Sequence, residues 1–179
     1  MRLWLLVSLV LAPVYRCAFD HLFVCEKDHL TRNVGGQDAV EILEPMAKDP
    51  VDFVRQGALI ALGMILVQQS EAASPASVST RAMYNKIIGD KHEDPMARFG
   101  AALGQGLIDA GGRNVTISLQ SCAGSRNMNA IIGMALFCQF WYWYPLAHCV
   151  ALAFEPTAII GLTENLKVCP GCVVCGDDI

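Results

Sequence analysis

The chain has 179 residues, 54% of them hydrophobic and 17% charged, with a net charge of −4. That length suits one domain or a piece of a larger one, and the acidic balance provides no electrostatic footprint for nucleic acid. The eight cysteines lack a framework spacing, so they read as small hydrophobes of an apolar core, not as a disulfide scaffold.

Residues 1–19 open with Met1-Arg2 and run through an apolar stretch, Leu3 to Ala12, to Pro13. A positive charge followed by a short apolar run outlines a secretory signal, although no clear small-x-small cleavage site follows it. An ordinary buried segment, or sequence foreign to the domain, accounts for these residues equally well. Residues 20–37 are polar and close on Gly35-Gly36, the composition of a linker. His21, Cys25 and His29 match no zinc spacing and are expected in a solvated loop.

From residue 38 the pattern becomes regular. Asp38 with Glu41 makes a capping-box start. Ala39, Ile42, Leu43 and Met46 fall on one stripe of a helix over 38–48. Pro45 is expected to kink or shorten its end.

A phrase then occurs twice. Asp49-Pro50, Arg55-Gln56-Gly57-Ala58 and Gly63 are echoed by Asp94-Pro95, Arg98-Phe99-Gly100-Ala101 and Gly106. The Arg, Gly-Ala and closing Gly recur at a step of 43 residues and the Asp-Pro pair at 45, so two residues are lost between Pro95 and Arg98. A period near 40 is the length of a helix-turn-helix solenoid unit. Asp49 and Asp94 are expected to cap helices, with Pro50 and Pro95 at the first helical position. The helix after Asp49 is apolar nearly all round, through Val54, Ala58, Leu59, Ala61, Leu62 and Ile65, and so is expected to be buried. Glycine inside a helix costs roughly 1 kcal/mol against alanine. Its use at Gly57, Gly63, Gly100, Gly104 and Gly106 therefore needs a packing reason. Gly57, Ala58, Gly63, Gly100, Ala101 and Gly106 are the candidate contact residues between tightly packed inner helices.

Between the two copies, residues 70–79 read as a surface loop. Thr80 is placed to cap a second outer helix that turns Met83, Tyr84, Ile87 and Ile88 inward. The second inner helix is expected from Asp94 to about Ala110, stopped by Gly111-Gly112. The period then changes. Val115, Ile117 and Leu119 alternate with Thr116, Ser118 and Gln120, which predicts a half-buried strand. Asn114-Val115-Thr116 is also a glycosylation sequon, relevant only on a secretory route.

Residues 127–154 contain no Asp, Glu, Lys or Arg, and 130–154 is long enough to cross a bilayer. Gln139, Pro145 and His148 interrupt the run, and its Trp and Tyr residues cluster in the middle, whereas membrane helices carry them at the ends. A break at Pro145 with a packed element on each side fits better, with His148 as a core histidine. Residues 157–162 read as a short strand. The end carries two overlapping C-x-x-C pairs, Cys169, Cys172 and Cys175. Without a second pair for zinc or a βαβ setting for redox work, they are expected in a disordered tail. No nucleophile elbow, H-E-x-x-H or phosphate loop is present. Neither an enzyme nor a cofactor is indicated.

The residues around these elements resemble one family. Asp49 to Ile60, Lys86 to His92, Ala97 to Ala101, Asp109 to Gly112, Asn114 to Ser121, Gln139 to Leu146 and Ile160 to Leu162 look like proteasome non-ATPase regulatory subunit 1. The resemblance covers about residues 38–168. It implies an α-helical solenoid of proteasome/cyclosome helix-pair repeats, closed into a ring, followed by a smaller β-containing C-terminal region. It implies four parts: an unmatched segment over 1–37, two helix-pair repeats over 38–112, a β-containing domain over 113–168 and a divergent tail over 169–179. By function it implies a non-catalytic scaffold of the regulatory particle base, cytoplasmic and nuclear, in contact with the ATPase ring. Family members also help to place ubiquitin receptors. Receptor docking uses a charged C-terminal extension, and Cys169 to Ile179 replace it here. The chain thus reads as a fragment carrying the last repeats. The competing reading is a secreted or membrane-anchored protein using 1–19 as signal and 130–154 as a membrane segment.

Overall fold

Among the described residues four helices come first: α1 (Thr31–Met46), α2 (Asp52–Ile65), α3 (Pro75–Gly89) and α4 (Pro95–Ile108). They are followed by β1 (Val115–Ile117), α5 (Met128–Phe140), the one-turn α6 (Tyr144–Ala147), and three strands, β2 (Phe154–Pro156), β3 (Ala158–Leu162) and β4 (Val168–Cys175). The computed structural model describes residues 31–69, 74–121, 124–162, 164–165 and 168–175. The signal-like segment 1–19 and His21, Cys25 and His29 lie outside them. The described chain is mostly helical, with two small antiparallel sheets.

α1 starts seven residues earlier than the capping pattern predicts. Gly35-Gly36 lie within it, and Asp38 is an interior residue instead of a cap. Its inward stripe is Ala39, Val40, Leu43 and Ala47, while Ile42 is exposed. Burial of that stripe against α2 outweighs the weak helix propensity of the two glycines. Pro45 sits in the last turn, and the helix ends one residue later.

α2 and α4 each contain 14 residues and match end to end at the 43-residue step. Their starts differ. Asp94 caps α4 as expected, its carboxylate accepting the Met96 N–H at 2.7 Å, with Pro95 in the first turn. Asp49 does not cap α2. It accepts the Val51 N–H at 2.8 Å in a turn, and Val51 holds the cap position. The two extra residues of the first copy are spent in that turn. Arg55 and Arg98 thereby fall at the same, fourth, helical position.

α3 also begins early. Ser74 precedes it and Pro75 opens it, so Thr80 is not a cap but a buried interior residue, as is Ser77. Proline is pre-organised for a first turn, which places the start five residues ahead of the expected one. Tyr84 is fully buried, and Met83, Ile87 and Ile88 pack partly buried against the same core.

After α4 the chain reverses through Gly111 and Gly112, at φ of 58° and 67°. A Cβ on Gly111 would run into a Val115 methyl, and the positive φ favours glycine there independently. β1 pairs with β2, Val115 opposite Pro156 and Ile117 opposite Phe154. The uncharged run is not one membrane-length helix. α5 stops at Phe140, α6 restarts beside Pro145, and a 3₁₀ turn covers His148–Ala153. No described helix is long and apolar enough to cross a membrane. The restart turns Ala147 and Val150 inward and leaves His148 exposed, edge-on to Tyr144 at 6.2 Å. His148 is therefore not a core residue.

The expected disordered tail is also corrected over residues 169–175. They belong to β4, antiparallel to β3 with Ala158 opposite Cys175. A lone β3 would leave a row of unpaired N–H and C=O groups, and β4 satisfies one edge. Cys138 and Cys149 are unbonded and half-buried. Burial pushes the Cys138 thiol up to about 11, so it is no thiolate at neutral pH. One core runs through Leu43, Leu59, Leu62, Tyr84, Leu107, Phe137, Trp141 and Val150, joining the helix pairs to the later elements.

Arg81 of α3 holds the α4 end through both guanidinium nitrogens on the Asp109 carboxylate. That hydrogen bond, the Arg81 charge and Arg113 nearby hold the Asp109 carboxyl below the usual carboxylate range. A carboxyl whose folded pKa is depressed adds stability above its unfolded pKa and loses it as pH falls through the folded one. An Asp109→Asn variant is thus expected to be less stable than the parent at pH 7 and equal to it in strong acid. Because the pair is exposed, the deficit is small and shrinks with added salt. Urea titrations at the two pH values would show it, and an equal deficit in strong acid would contradict it.

Candidate functional site

The site is a helix face. α2 is buried from Gln56 to Met64 on every side, clamped between α1 and α4. A helix that is apolar all round is expected at such a central position. Contacts with α4 advance in the same sense along both helices, Gln56 against Gly100 and Gly63 against Gly104. The two helices therefore run parallel, with α1 and α3 as their outer partners.

Glycine sets how closely they approach. A Cβ on Gly63 would stand 2.6 Å from the Gly104 Cα, and one on Gly100 would stand 2.8 Å from the Gln56 carbonyl oxygen. On Gly104 it would meet the Leu59 carbonyl at 2.7 Å and the Tyr84 hydroxyl at 2.8 Å. The backbones touch where side chains would otherwise hold them apart. Tyr84 pins the crossing by donating its hydroxyl to the Leu59 carbonyl at 2.7 Å. Burial raises the phenol pKa, so it stays a donor at any ordinary pH.

Polar groups close the N-terminal end of this face. Arg55 donates to the Asp49 and Pro50 carbonyls and reaches the Asp52 and Glu93 carboxylates. Glu93 immediately precedes the α4 cap, so one guanidinium ties the start of α2 to the start of α4. Such shared, partly buried pairs resist screening better than an isolated surface pair.

The candidate residues divide as follows. Gly63 and Gly100 lie in the crossing, and Gly57, Ala58 and Ala101 are buried. Gly106 packs against no described residue: a Cβ there meets nothing within 4 Å, and the residue is exposed. Gly104, Tyr84 and the Arg55–Glu93 pair complete the site. The Gly100-x-x-x-Gly104 spacing marks Gly104 in the sequence, since residues four apart share a helix face. The ion pair has no such mark, because Arg55 and Glu93 meet only through the fold.

The 43-residue step carries the α2 face onto α4. Arg55, Gln56, Leu59 and Gly63, which receive α4, correspond to Arg98, Phe99, Ala102 and Gly106. Gln56 and Leu59 are buried, at 1% and 0% exposure. Arg98, Ala102 and Gly106 are exposed, and Phe99 is half-buried. The corresponding face of α4 is therefore left open by the described residues. Among the described residues no three His, Cys, Asp or Glu gather to hold a metal ion.

No protein-family model matches the chain. Curated relatives do. 26S proteasome non-ATPase regulatory subunit 1 of Drosophila melanogaster is 56% identical over 135 residues, 75% of this chain and 13% of its own length. Its homolog A from Arabidopsis thaliana is 54% identical over 134 residues, with the same shares of each chain. 26S proteasome regulatory subunit RPN2 of Saccharomyces cerevisiae is 45% identical over 137 residues, 76% of this chain and 14% of its own length. The match thus spans about one seventh of the curated relatives, all named as regulatory subunits. Identity of 45–56% from yeast to plant and fly over three quarters of the chain makes it a segment of the 26S proteasome non-ATPase regulatory subunit 1 family.

Proposed function

We propose that this chain is a non-catalytic scaffold of the proteasome regulatory particle base, supporting ubiquitin-dependent degradation through protein contacts. In this reading α1–α2 and α3–α4 are consecutive units of a helix-pair solenoid, and the particle's other subunits, the ATPase ring among them, are the partners. The chain works where proteasomes work, in cytoplasm and nucleus. Residues 38–112 form the repeat part and 113–168 the β-containing part.

One observation carries the reading. The face with which α2 receives α4 recurs on α4 with no described element seated on it. A solenoid is built from such faces, each unit covering the last and presenting the same surface to the next. The exposed small residues Ala102 and Gly106 lack any role within the described chain, and helix propensity alone disfavours the glycine.

Gradient sedimentation of the tagged chain from cells, with fractions probed for proteasome ATPase subunits, tests this. The parent chain is expected to travel with the assembled particle. An Ala102→Trp variant, whose bulk stands on an exposed position, is expected to keep its helicity and leave those fractions. Migration of the parent chain as a free species would overturn the scaffold reading. Unchanged co-migration of the variant would remove the α4 face from it.

A further inference from the structure

The later part of the chain is fastened to the helix pairs at one small polar cluster. The Thr157 hydroxyl accepts a hydrogen bond from the Gln68 side-chain amide at 2.9 Å and donates one to the Asn114 side-chain oxygen at 3.0 Å. The Thr157 N–H donates to the Asn114 carbonyl at 3.1 Å. Each residue belongs to a different part of the fold. Gln68 ends the turn after α2, Asn114 leads into β1, and Thr157 joins β2 to β3. Thr157 is thus the point at which the two sheets meet.

The backbone marks the same place. Gln68 and Arg113 have φ of 62° and 68°, and among the described residues they are the two non-glycine positions with positive φ. That region is disfavoured for any residue with a Cβ. Glycine is the ordinary choice for a left-handed residue after a helix. A glutamine there gives up backbone ease and gains a side-chain amide, and that amide reaches Thr157. Residues held in such conformations persist where the surrounding contacts over-determine them.

We infer that Gln68, Asn114 and Thr157 form a rigid joint that fixes the strand unit on the end of α2, so that strands and helix pairs move as one body. The hydroxyl is its keystone, because it serves both partners at once. A scaffold that positions partners through two surfaces needs a fixed angle between them. The joint itself stands whether or not the proteasome reading does.

Hydrogen–deuterium exchange on the full chain tests it, with Gln68→Gly, Thr157→Val, Thr157→Ser and the Gln68→Gly/Thr157→Val double variant. Gln68→Gly and Thr157→Val are each expected to speed exchange over residues 154–162 by about five- to tenfold, the size of one lost hydrogen bond. Rates in α2 and α4 stay at the parent value, Thr157→Ser matches the parent, and the double variant is no faster than Thr157→Val. Unchanged or slower exchange in Gln68→Gly would overturn the joint, since Gln68 would then merely end the helix and glycine would relieve it. Equal acceleration in the helices and the strands would also overturn it, as a global loss of stability.

Discussion

Alanine at Gly63 is expected to destabilise the chain by about 1–3 kcal/mol or more, the cost of forcing a side chain into a filled core. The same substitution at Gly106, 43 residues on, is expected to stabilise it by roughly 0.5–1 kcal/mol, the helix-propensity gain. The difference lies wholly in what faces each position. The Gly63 Cβ meets the Gly104 backbone at 2.6 Å, and backbone cannot swing aside as a side chain can. Gly106 faces open space. Gly104→Ala belongs with Gly63→Ala, because its Cβ meets the Leu59 carbonyl and the Tyr84 hydroxyl. Urea unfolding of the three variants reads the effect directly. Equal and mild losses at all three positions would mean that the α2–α4 approach is looser than described. Gly106→Ala carries a second consequence under the scaffold reading. It strengthens the chain alone while weakening its docking, as expected of a residue kept for a contact outside the described fold.

Tyr84→Ala carries the other large effect, about 3–5 kcal/mol from the cavity left by a buried aromatic ring. Tyr84 is fully buried among α2, α3 and α4, so little can collapse into its place. Tyr84→Phe separates the ring from its hydroxyl and is expected to cost about 1 kcal/mol, one net hydrogen bond. Chemical denaturation of both variants gives the partition. A phenylalanine variant as weak as the alanine variant would assign the stability to the hydrogen bond instead of the packing. A marginal domain of this size has only about 5–15 kcal/mol to lose, so Tyr84→Ala approaches the threshold of folding.

Much of the helical half is legible in the residues. The repeated Arg-x-Gly-Ala phrase, its 43-residue step and the all-round apolar run locate α2 and α4, since periodicity and composition act over a few turns of chain. Asp94 and Pro95 announce the α4 start for the same local reason. The ends of other helices are not legible. Asp49 offers the same signal as Asp94 but two residues too soon: it closes a turn on the Val51 N–H, and α2 begins at Asp52. Thr80 has the chemistry of a cap and is buried instead, because α3 starts from Pro75.

The candidate site divides along the same line. Glycines in a helix announce that something must come close, because their cost in propensity demands a reason. They do not say from which side. Gly63 and Gly106 hold equivalent places in the repeated phrase, yet one is sealed against Gly104 and the other is open. That contrast depends on what each residue faces once the chain is folded. The Arg55–Glu93 pair and the Gln68–Thr157–Asn114 joint leave no local trace, because each links residues far apart in sequence, whereas β4 is masked by its own Pro170-Gly171, which read as a turn. Helix content and repeat length thus follow from local preference and periodicity. Which faces are covered, and how the strands sit on the helices, is decided by contacts that exist only once the chain is folded.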